Sequence, residues 1–153
     1  MAFQPFNINP SDINRNQAIG VAFPLINEGS FNQTFLLKDQ VKANIINVLL
    51  TEKGERINQP NFGVGLKSLL FENNINVLSL EPEIERQLEI YVPDIELYDL
   101  EPVFDSDNHT LKIKLTYSII GDNDLDAIEL NVEGNENDIT NISFDYTTSE
   151  GGF

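Results

Sequence analysis

The sequence predicts an α+β fold in which two main helices and a short third helix pack on a small antiparallel sheet. In the first half, apolar residues recur at helical spacing, as in Val41, Ile45, Val48 and Leu49. After Pro93 the apolar period changes to two, which is typical of strands. Because helices precede strands rather than alternate with them, we expect the helices to lie against an antiparallel sheet.

The first helix is predicted to begin at Thr34 or Leu37 and to be stopped by Gly54, which can adopt the left-handed conformation common after helix ends. A shaped loop follows, because Pro60, Gly63 and Gly65 favour turns. The short helix is predicted from the apolar residues Leu66, Leu69 and Leu70.

The second long helix is predicted to begin near Ser79 or Glu81, with Pro82 in its first turn, and to end at Pro93. Its apolar stripe comprises Leu80, Ile84, Leu88 and Tyr91. Acidic residues near its start suit the helix dipole.

Three strands are predicted over residues 95–100, 111–119 and 128–132. The alternation over 111–119 is the clearest, whereas either face of 95–100 could be buried. Residues 142–146 alternate once more, and residues 18–23 could form one further strand. We therefore divide the chain into an N-terminal arm (1–34), an α+β domain (35–132) and a polar C-terminal extension (133–153).

The cysteine content and the charge distribution exclude several classes of function. The 153 residues include no cysteine, which excludes disulfides and thiol chemistry and fits a reducing compartment. Residues 1–75 carry six acids and six bases, whereas residues 76–153 carry 19 acids and three bases and hence the whole net charge of -16. Such a surface repels phosphates, so we expect neither nucleic-acid nor anionic-membrane binding. Residues 1–9 lack a basic region and an apolar region, so we expect no signal peptide there. No apolar run approaches the roughly 20 residues that a membrane span needs.

No motif predicts catalysis or a cofactor. His109 lies in an acid-rich turn, so we interpret it as an exposed turn residue rather than part of a triad. Glu52 and Glu55 are the best candidates for a glycosidase pair, but a helix end with Glu52 paired to Arg56 explains them better. The acids over 122–126 lack EF-hand spacing, and Gly63-Val64-Gly65 lacks the remainder of a dinucleotide motif.

One segment carries a more specific pattern. Residues 49–56 read Leu-Leu-Thr-Glu-Lys-Gly-Glu-Arg, residues 60–66 read Pro-Asn-Phe-Gly-Val-Gly-Leu, and residues 69–72 read Leu-Leu-Phe-Glu. This pattern resembles the signature of the baseplate wedge sheath-initiator family of contractile phage tails, which is related to a baseplate component of type VI secretion systems. The close resemblance covers residues 49–72, and the order of elements extends it loosely to about residue 132.

The motif residues are mostly architectural in this interpretation. We expect Gly54 to cap, Pro60 and the glycines to bend the chain, and Arg56 to tie the loop down. The apolar members are expected to anchor the loop in the core. The motif positions are Gly54, Glu55, Arg56, Pro60, Phe62, Gly63, Gly65, Leu66 and Phe71.

The resemblance implies a non-enzymatic virion protein of the tail baseplate, assembled in the host cytoplasm. The implied partners are the tail sheath protein and other baseplate wedge proteins, with the tail tube or hub as further candidates. The resemblance implies docking of the sheath by strand addition to a sheet edge. Two alternatives stay open, because some relatives carry a lysozyme label and a bacterial anti-adaptor shares the fold.

Two partner-binding segments are predicted. The family carries a Glu-Pro-Arg motif at the end of its second long helix. The matching residues here are Val92, Pro93 and Asp94, so both charged partners are absent and the charge at the last position is reversed. The leading candidate for the docking edge is the strand formed by Ile128, Glu129, Leu130, Asn131 and Val132, because it is the last strand before the polar end. The segment 142–146 is the competing candidate.

Overall fold

A computed structural model describes residues 18–21, 33–71, 76–135 and 138–148. Backbone contacts divide the chain into two compact units, residues 1–46 and residues 47–153, and each is described by itself. None of the helices within the described ranges is long and apolar enough to cross a membrane.

In the first unit, two short strands pair antiparallel: β1 (Gly20–Val21) and β2 (Gln33–Thr34). Helix α1 (Leu37–Leu50) begins in this unit, at the later of the two predicted starts, and ends in the second. The Thr34 hydroxyl donates a hydrogen bond to Gln40 Oε1 (2.6 Å), which fixes the chain as it enters the helix. Residues 22 and 23 of the predicted strand 18–23 lie outside the described residues.

Helix α1 ends at Leu50, so the prediction that Gly54 stops it is wrong. The Thr51 hydroxyl donates to the Asn47 carbonyl (2.7 Å), and the Val64 amide donates to the Val48 carbonyl (2.9 Å). These bonds satisfy carbonyls of the last turn before the chain reaches Gly54.

The second unit contains the short helix α2 (Leu66–Leu69) and the long helix α3 (Val77–Tyr91). Three members of the predicted apolar stripe of α3, Leu80, Ile84 and Leu88, are buried, whereas the fourth, Tyr91, is half-buried. The helix starts earlier than predicted, so Pro82 lies in its second turn. The carbonyl of Leu78 thereby loses its donor, but Leu78 is 85% exposed and water can replace the missing N–H.

The sheet of the second unit has four strands: β3 (Ile95–Asp105), β4 (Thr110–Ile119), β5 (Leu125–Asn135) and β6 (Asp138–Thr148). They are antiparallel and lie in the order β3-β4-β5-β6, which confirms the α+β class. Helix α3 packs next to β3. The sheet extends past the predicted limit at residue 132, because β6 forms within the segment assigned to the polar extension.

The alternation predicted for β4 is confirmed. Its inward residues are fully buried, while Lys112 and Lys114 on the other face are exposed. The buried apolar residues of the two central strands are Leu111, Ile113, Leu115, Tyr117, Ile128, Leu130 and Val132.

A β-bulge explains why the buried face of β3 was ambiguous in the sequence. Leu97 lies opposite Tyr117 and Asp99 lies opposite Thr116, so Tyr98 is an extra residue with no partner of its own. The extra residue shifts the phase of the alternation. As a result, the apolar residues before and after the bulge share one face of the sheet; they are Ile95, Leu97, Leu100, Pro102 and Phe104.

Candidate functional site

The motif loop, residues 51–65, is a segment between α1 and α2 that contains no helix or strand. The Gly54 amide donates to the Pro60 carbonyl (2.9 Å) and closes the loop's outer turn. Gly54 holds a φ of +87°, so its left-handed conformation is confirmed although it does not cap the helix. Besides these backbone bonds, three groups of side-chain contacts connect the loop to α3.

Gln87 is the most buried of these side chains, with no exposed surface. Its Oε1 accepts a hydrogen bond from the Gly63 amide (2.9 Å), and its Nε2 donates to the Asn61 carbonyl (2.9 Å). One α3 side chain therefore satisfies both a donor and an acceptor of the loop backbone. The donor, the Gly63 amide, is buried and would be costly to leave unpaired.

An aromatic stack forms a second connection between the loop and α3. The Phe62 ring meets the Tyr91 ring edge to face, with centroids 4.7 Å apart. The Arg56 guanidinium lies over the Phe62 ring, 3.7 Å from its centroid. Both contacts are favourable beyond simple burial, because the ring edge and the cation meet the electron-rich faces of aromatic rings.

An ion-pair cluster forms the third connection. Glu83 of α3 contacts Arg86 on the same helix (2.9 Å) and Lys53 of the loop (2.6 Å). The hydrogen bonds from Arg86, helped by those from Lys53 and Gln87, lower the pKa of Glu83 to about 2 against the smaller opposing effect of burial. Lys53 and Arg86 are half exposed, so this cluster positions the loop more than it stabilises it.

The motif glycines have different roles. A Cβ on Gly63 would collide with the carbonyl oxygen of Thr51, so only glycine fits where the loop passes the end of α1. Gly65 has a φ of +73° and precedes α2, where its carbonyl accepts a hydrogen bond from the Ser68 hydroxyl (2.8 Å).

The predicted apolar anchors are only partly correct. Phe62 and Leu66 are buried, as expected. Phe71 lies just after α2 and is 42% exposed, so it is not buried in the core as expected. Pro60 is also exposed, and its contribution is the carbonyl that closes the turn with Gly54.

The candidate acid pair shows a structural arrangement. Glu55 Oε2 accepts a hydrogen bond from the Glu52 amide (3.1 Å), and both residues are exposed. Arg56 lies over Phe62 and donates to Gln59 (3.5 Å), so the expected pairing with Glu52 is wrong. His109 lies in the β3–β4 turn with a φ of +47°, and its carbonyl accepts a hydrogen bond from the Gly134 amide (3.0 Å).

The segment Val92-Pro93-Asp94 is only partly available to a partner. Val92 is buried, so its side chain is not an exposed contact residue as predicted, whereas Pro93 and Asp94 are exposed. The Asp94 carbonyl accepts a hydrogen bond from the Ile120 amide (2.9 Å). This bond ties the α3–β3 turn to the β4–β5 turn.

The prediction that Ile128 to Val132 form an edge is wrong. Strand β5 pairs with β4 on one side and with β6 on the other, so its backbone groups are already used. The apolar members Ile128, Leu130 and Val132 are buried, while Glu129 and Asn131 lie on the other face. The edges of this sheet are β3 and β6, and β6 contains the competing candidate segment 142–146.

Sequence reasoning missed the residues of α3 that hold the motif loop. Gln87 had a visible signal, because it is a polar residue between Ile84 and Leu88 on the apolar side of the helix. A polar residue in that position requires buried partners. Glu83 had no such signal among so many acids.

Comparison with known proteins agrees with this geometry. The family model of the baseplate wedge protein gp25 matches residues 36–124, which is more than half of the chain. The baseplate wedge protein gp25 of Enterobacteria phage T4 is 29% identical over 93 residues, covering 59% of this chain and 70% of the phage protein. The crystal structure of a candidate tail lysozyme from Geobacter sulfurreducens has a TM-score of 0.56 at 22% identity, covering 67% of this chain and 95% of that one, and it shows a shared fold alone. On these grounds, the chain belongs to the family of the baseplate wedge protein gp25.

Proposed function

We propose that this protein is a non-enzymatic subunit of a phage tail baseplate that initiates the tail sheath by accepting a strand from the sheath protein. The edge strand β6 carries this proposal. Its residues 141–148 pair with β5 in unbroken register, and no strand pairs with its other side within the described ranges. Membership of a baseplate wedge family supports the location and the structural role.

The direction of each N–H group along β6 follows from the register. In antiparallel pairs, a residue directs both its N–H and its C=O either toward or away from a given neighbour, and the direction alternates along the strand. The Gly134–His109 bond implies that Ile113 and Leu130 bond to each other. Leu130 therefore directs its N–H away from β6, and its partner Phe144 directs its N–H outward.

The same alternation makes Ile142 and Tyr146 outward donors as well. Three donors spaced by two residues, with the carbonyls of the same residues, form a ladder edge that an extended segment can complete. Strand addition of this kind obtains affinity from backbone groups and tolerates changes in side chains. An adaptor and a sheath protein can therefore remain compatible while their sequences diverge.

Other baseplate wedge proteins are the second class of partner in this proposal, with Pro93 and Asp94 as an exposed contact region. Contact with the tail tube or hub, and assembly in the host cytoplasm, belong to the same proposal. The arrangement of Glu52 and Glu55 supports the non-enzymatic part, because a hydrogen bond within an exposed turn accounts for it. Purified protein should leave cell-wall substrate intact; clearing that Glu52→Gln or Glu55→Gln abolishes would favour the lysozyme alternative.

The test compares two substitutions at one position. Both Phe144→Pro and Phe144→Ala remove the ring, but only proline removes the outward N–H. We expect baseplates with Phe144→Pro to lose sheath-ring assembly and those with Phe144→Ala to retain it, once circular dichroism shows that both variants fold. Equal sheath assembly by both variants would show that β6 is not the docking edge, and equal loss would assign the contact to the ring.

A further inference from the structure

The sheet has two edges, and their backbones differ. Strand β3 forms the edge opposite β6, and no strand pairs with its outer side within the described ranges. On the face of β3 that points away from the core, the side chains of Tyr98 and Val103 are both more than half exposed to solvent. An edge strand with unpaired backbone groups and exposed apolar residues can pair with a strand of another chain.

Pro102 removes a donor at the centre of this edge. The Ile120 amide bonds to Asp94, so along β4 every second residue from Ile120 bonds to β3. Ile113 is not one of these residues, and its partner Pro102 therefore forms no backbone hydrogen bond with it. The backbone nitrogen of Pro102 therefore points outward, where it has no hydrogen to donate. Leu100 and Phe104 still direct an N–H outward on either side, so the edge lacks its middle donor.

The two edges can be compared along a single row that crosses the sheet. Pro102, Ile113, Leu130 and Phe144 lie opposite one another in register. At the β6 end of this row, Phe144 directs both an N–H and a C=O outward. At the β3 end, Pro102 directs outward a C=O and a nitrogen without hydrogen. An added strand could therefore form both backbone hydrogen bonds with this row at β6 only.

The bulge at Tyr98 interrupts β3 a short distance from Pro102. An added straight strand could follow only one side of the bulge, because the extra residue bends the strand and breaks the regular spacing of its outward groups. Four other exposed residues along this edge are acidic and would repel a second acidic edge; they are Glu96, Asp99, Glu101 and Asp105.

We propose that the β3 edge is closed to strand addition by the Tyr98 bulge and Pro102, so that each molecule accepts one added strand, at β6. A subunit with one open edge can start a polymer but cannot join two strands or chain to copies of itself. The statement that an added strand binds at β6 rests on the proposed function. The statement that the β3 edge is closed rests on the backbone of β3 alone.

The variant that should open the edge combines deletion of Tyr98 with Pro102→Val. Deleting the extra residue leaves Ile95, Leu97 and Leu100 in continuous alternation on their present face, so the core side of β3 is kept. Valine restores the outward N–H and favours strands. Pro102→Val alone, with the bulge kept, is the milder second variant.

Self-association measured by sedimentation is the readout, in roughly 1 M salt, where the Debye length falls to about 3 Å and charge repulsion is screened. We expect the double variant to at least double its weight-average mass relative to the wild type at equal concentration, and Pro102→Val to increase it less. Cysteines introduced at position 103 should then cross-link between two copies. Unchanged mass for both variants, with a wild-type circular dichroism spectrum, would overturn the proposal.

A misfolded double variant does not end the test, because Pro102→Val alone must still gain mass if the proline closes the edge. The readout needs no sheath protein, so it is independent of the docking experiment at Phe144. If the β3 variants associate while Phe144→Pro still assembles sheath, the β3 edge is closed as proposed and the role of β6 falls.

Discussion

The motif loop and the edge strand β6 present different chemical groups to their surroundings. The loop is held by particular side chains of α3, with Gln87 bonded to its backbone and Tyr91 against Phe62. Strand β6 presents outward backbone groups that almost any sequence could supply. The part of the chain with the strongest family signature is therefore the part that maintains the fold, while the proposed docking strand has no signature of its own.

Replacing Phe62 by alanine should give the largest effect on the loop side of this comparison. The buried ring contacts both Tyr91 and Arg56, so we expect a loss of about 3–5 kcal/mol in the free energy of unfolding. Denaturant unfolding measures it. Phe71→Ala is the matched control, because the same ring is removed from an exposed position and should cost far less.

Replacing Gln87 by leucine should have the next largest effect. The Gly63 amide would remain buried without a partner, which costs about 1–3 kcal/mol, and the exposed residue Asn61 would lose the donor to its carbonyl. Thermal unfolding of the purified protein checks this value. If the proposed docking at β6 holds, folded Gln87→Leu protein should support sheath assembly as well as the wild type does. A docking defect without lost stability would mean that the loop contacts the partner.

Replacing Gly54 by alanine should have a smaller effect. A Cβ at this position meets no atom within 4 Å, so the cost comes from the left-handed conformation alone, at about 1 kcal/mol. Asparagine tolerates that conformation better and should recover much of the loss. If Gly54→Ala and Gly54→Asn unfold at the same temperature, backbone conformation is not what selects glycine here.

The ion pairs of Glu83 should have the smallest effect, and it should depend on pH. The pKa of Glu83 is lowered from 4.5 to about 2 in the folded protein, so its stabilising effect is present above pH 4.5 and is lost as the pH falls toward 2. Because Lys53 and Arg86 are half exposed, we expect at most about 1 kcal/mol. The difference in unfolding free energy between wild type and Glu83→Gln, measured at pH 6 and pH 2.5, should shrink at the lower pH.

Regular apolar spacing made the helices and the central strands predictable. Leu80, Ile84 and Leu88 lie one turn apart and are all buried, and the alternation of β4 identifies its inward face. Strand β3 was less predictable, because the bulge at Tyr98 shifts the alternation by one residue. Its length was underestimated for a related reason, since Pro102 is compatible with an edge strand but is unfavourable in most strands.

The edges of the sheet were harder to predict from sequence than its centre. Strand β6 lies in a polar segment where only residues 142–146 alternate, so its pairing with β5 had a weak signal. Assigning this segment to the polar extension makes β5 the apparent last strand and misplaces the docking edge, although residues 142–146 are the competing candidate. The buried contacts of Gln87 were missed because one sequence alone does not show which backbone groups a polar side chain will meet.

The hydrogen bond from the Gly63 amide to the Gln87 side chain should slow the opening of the motif loop at this point. The Gly63 amide belongs to no helix or strand, yet its acceptor is a side chain with no exposed surface. Solvent reaches this amide only when α3 separates from the loop, which also exposes the Phe62 ring. Hydrogen exchange at Gly63 should therefore be as slow as in the core strands, and this irregular segment should open only with the whole unit.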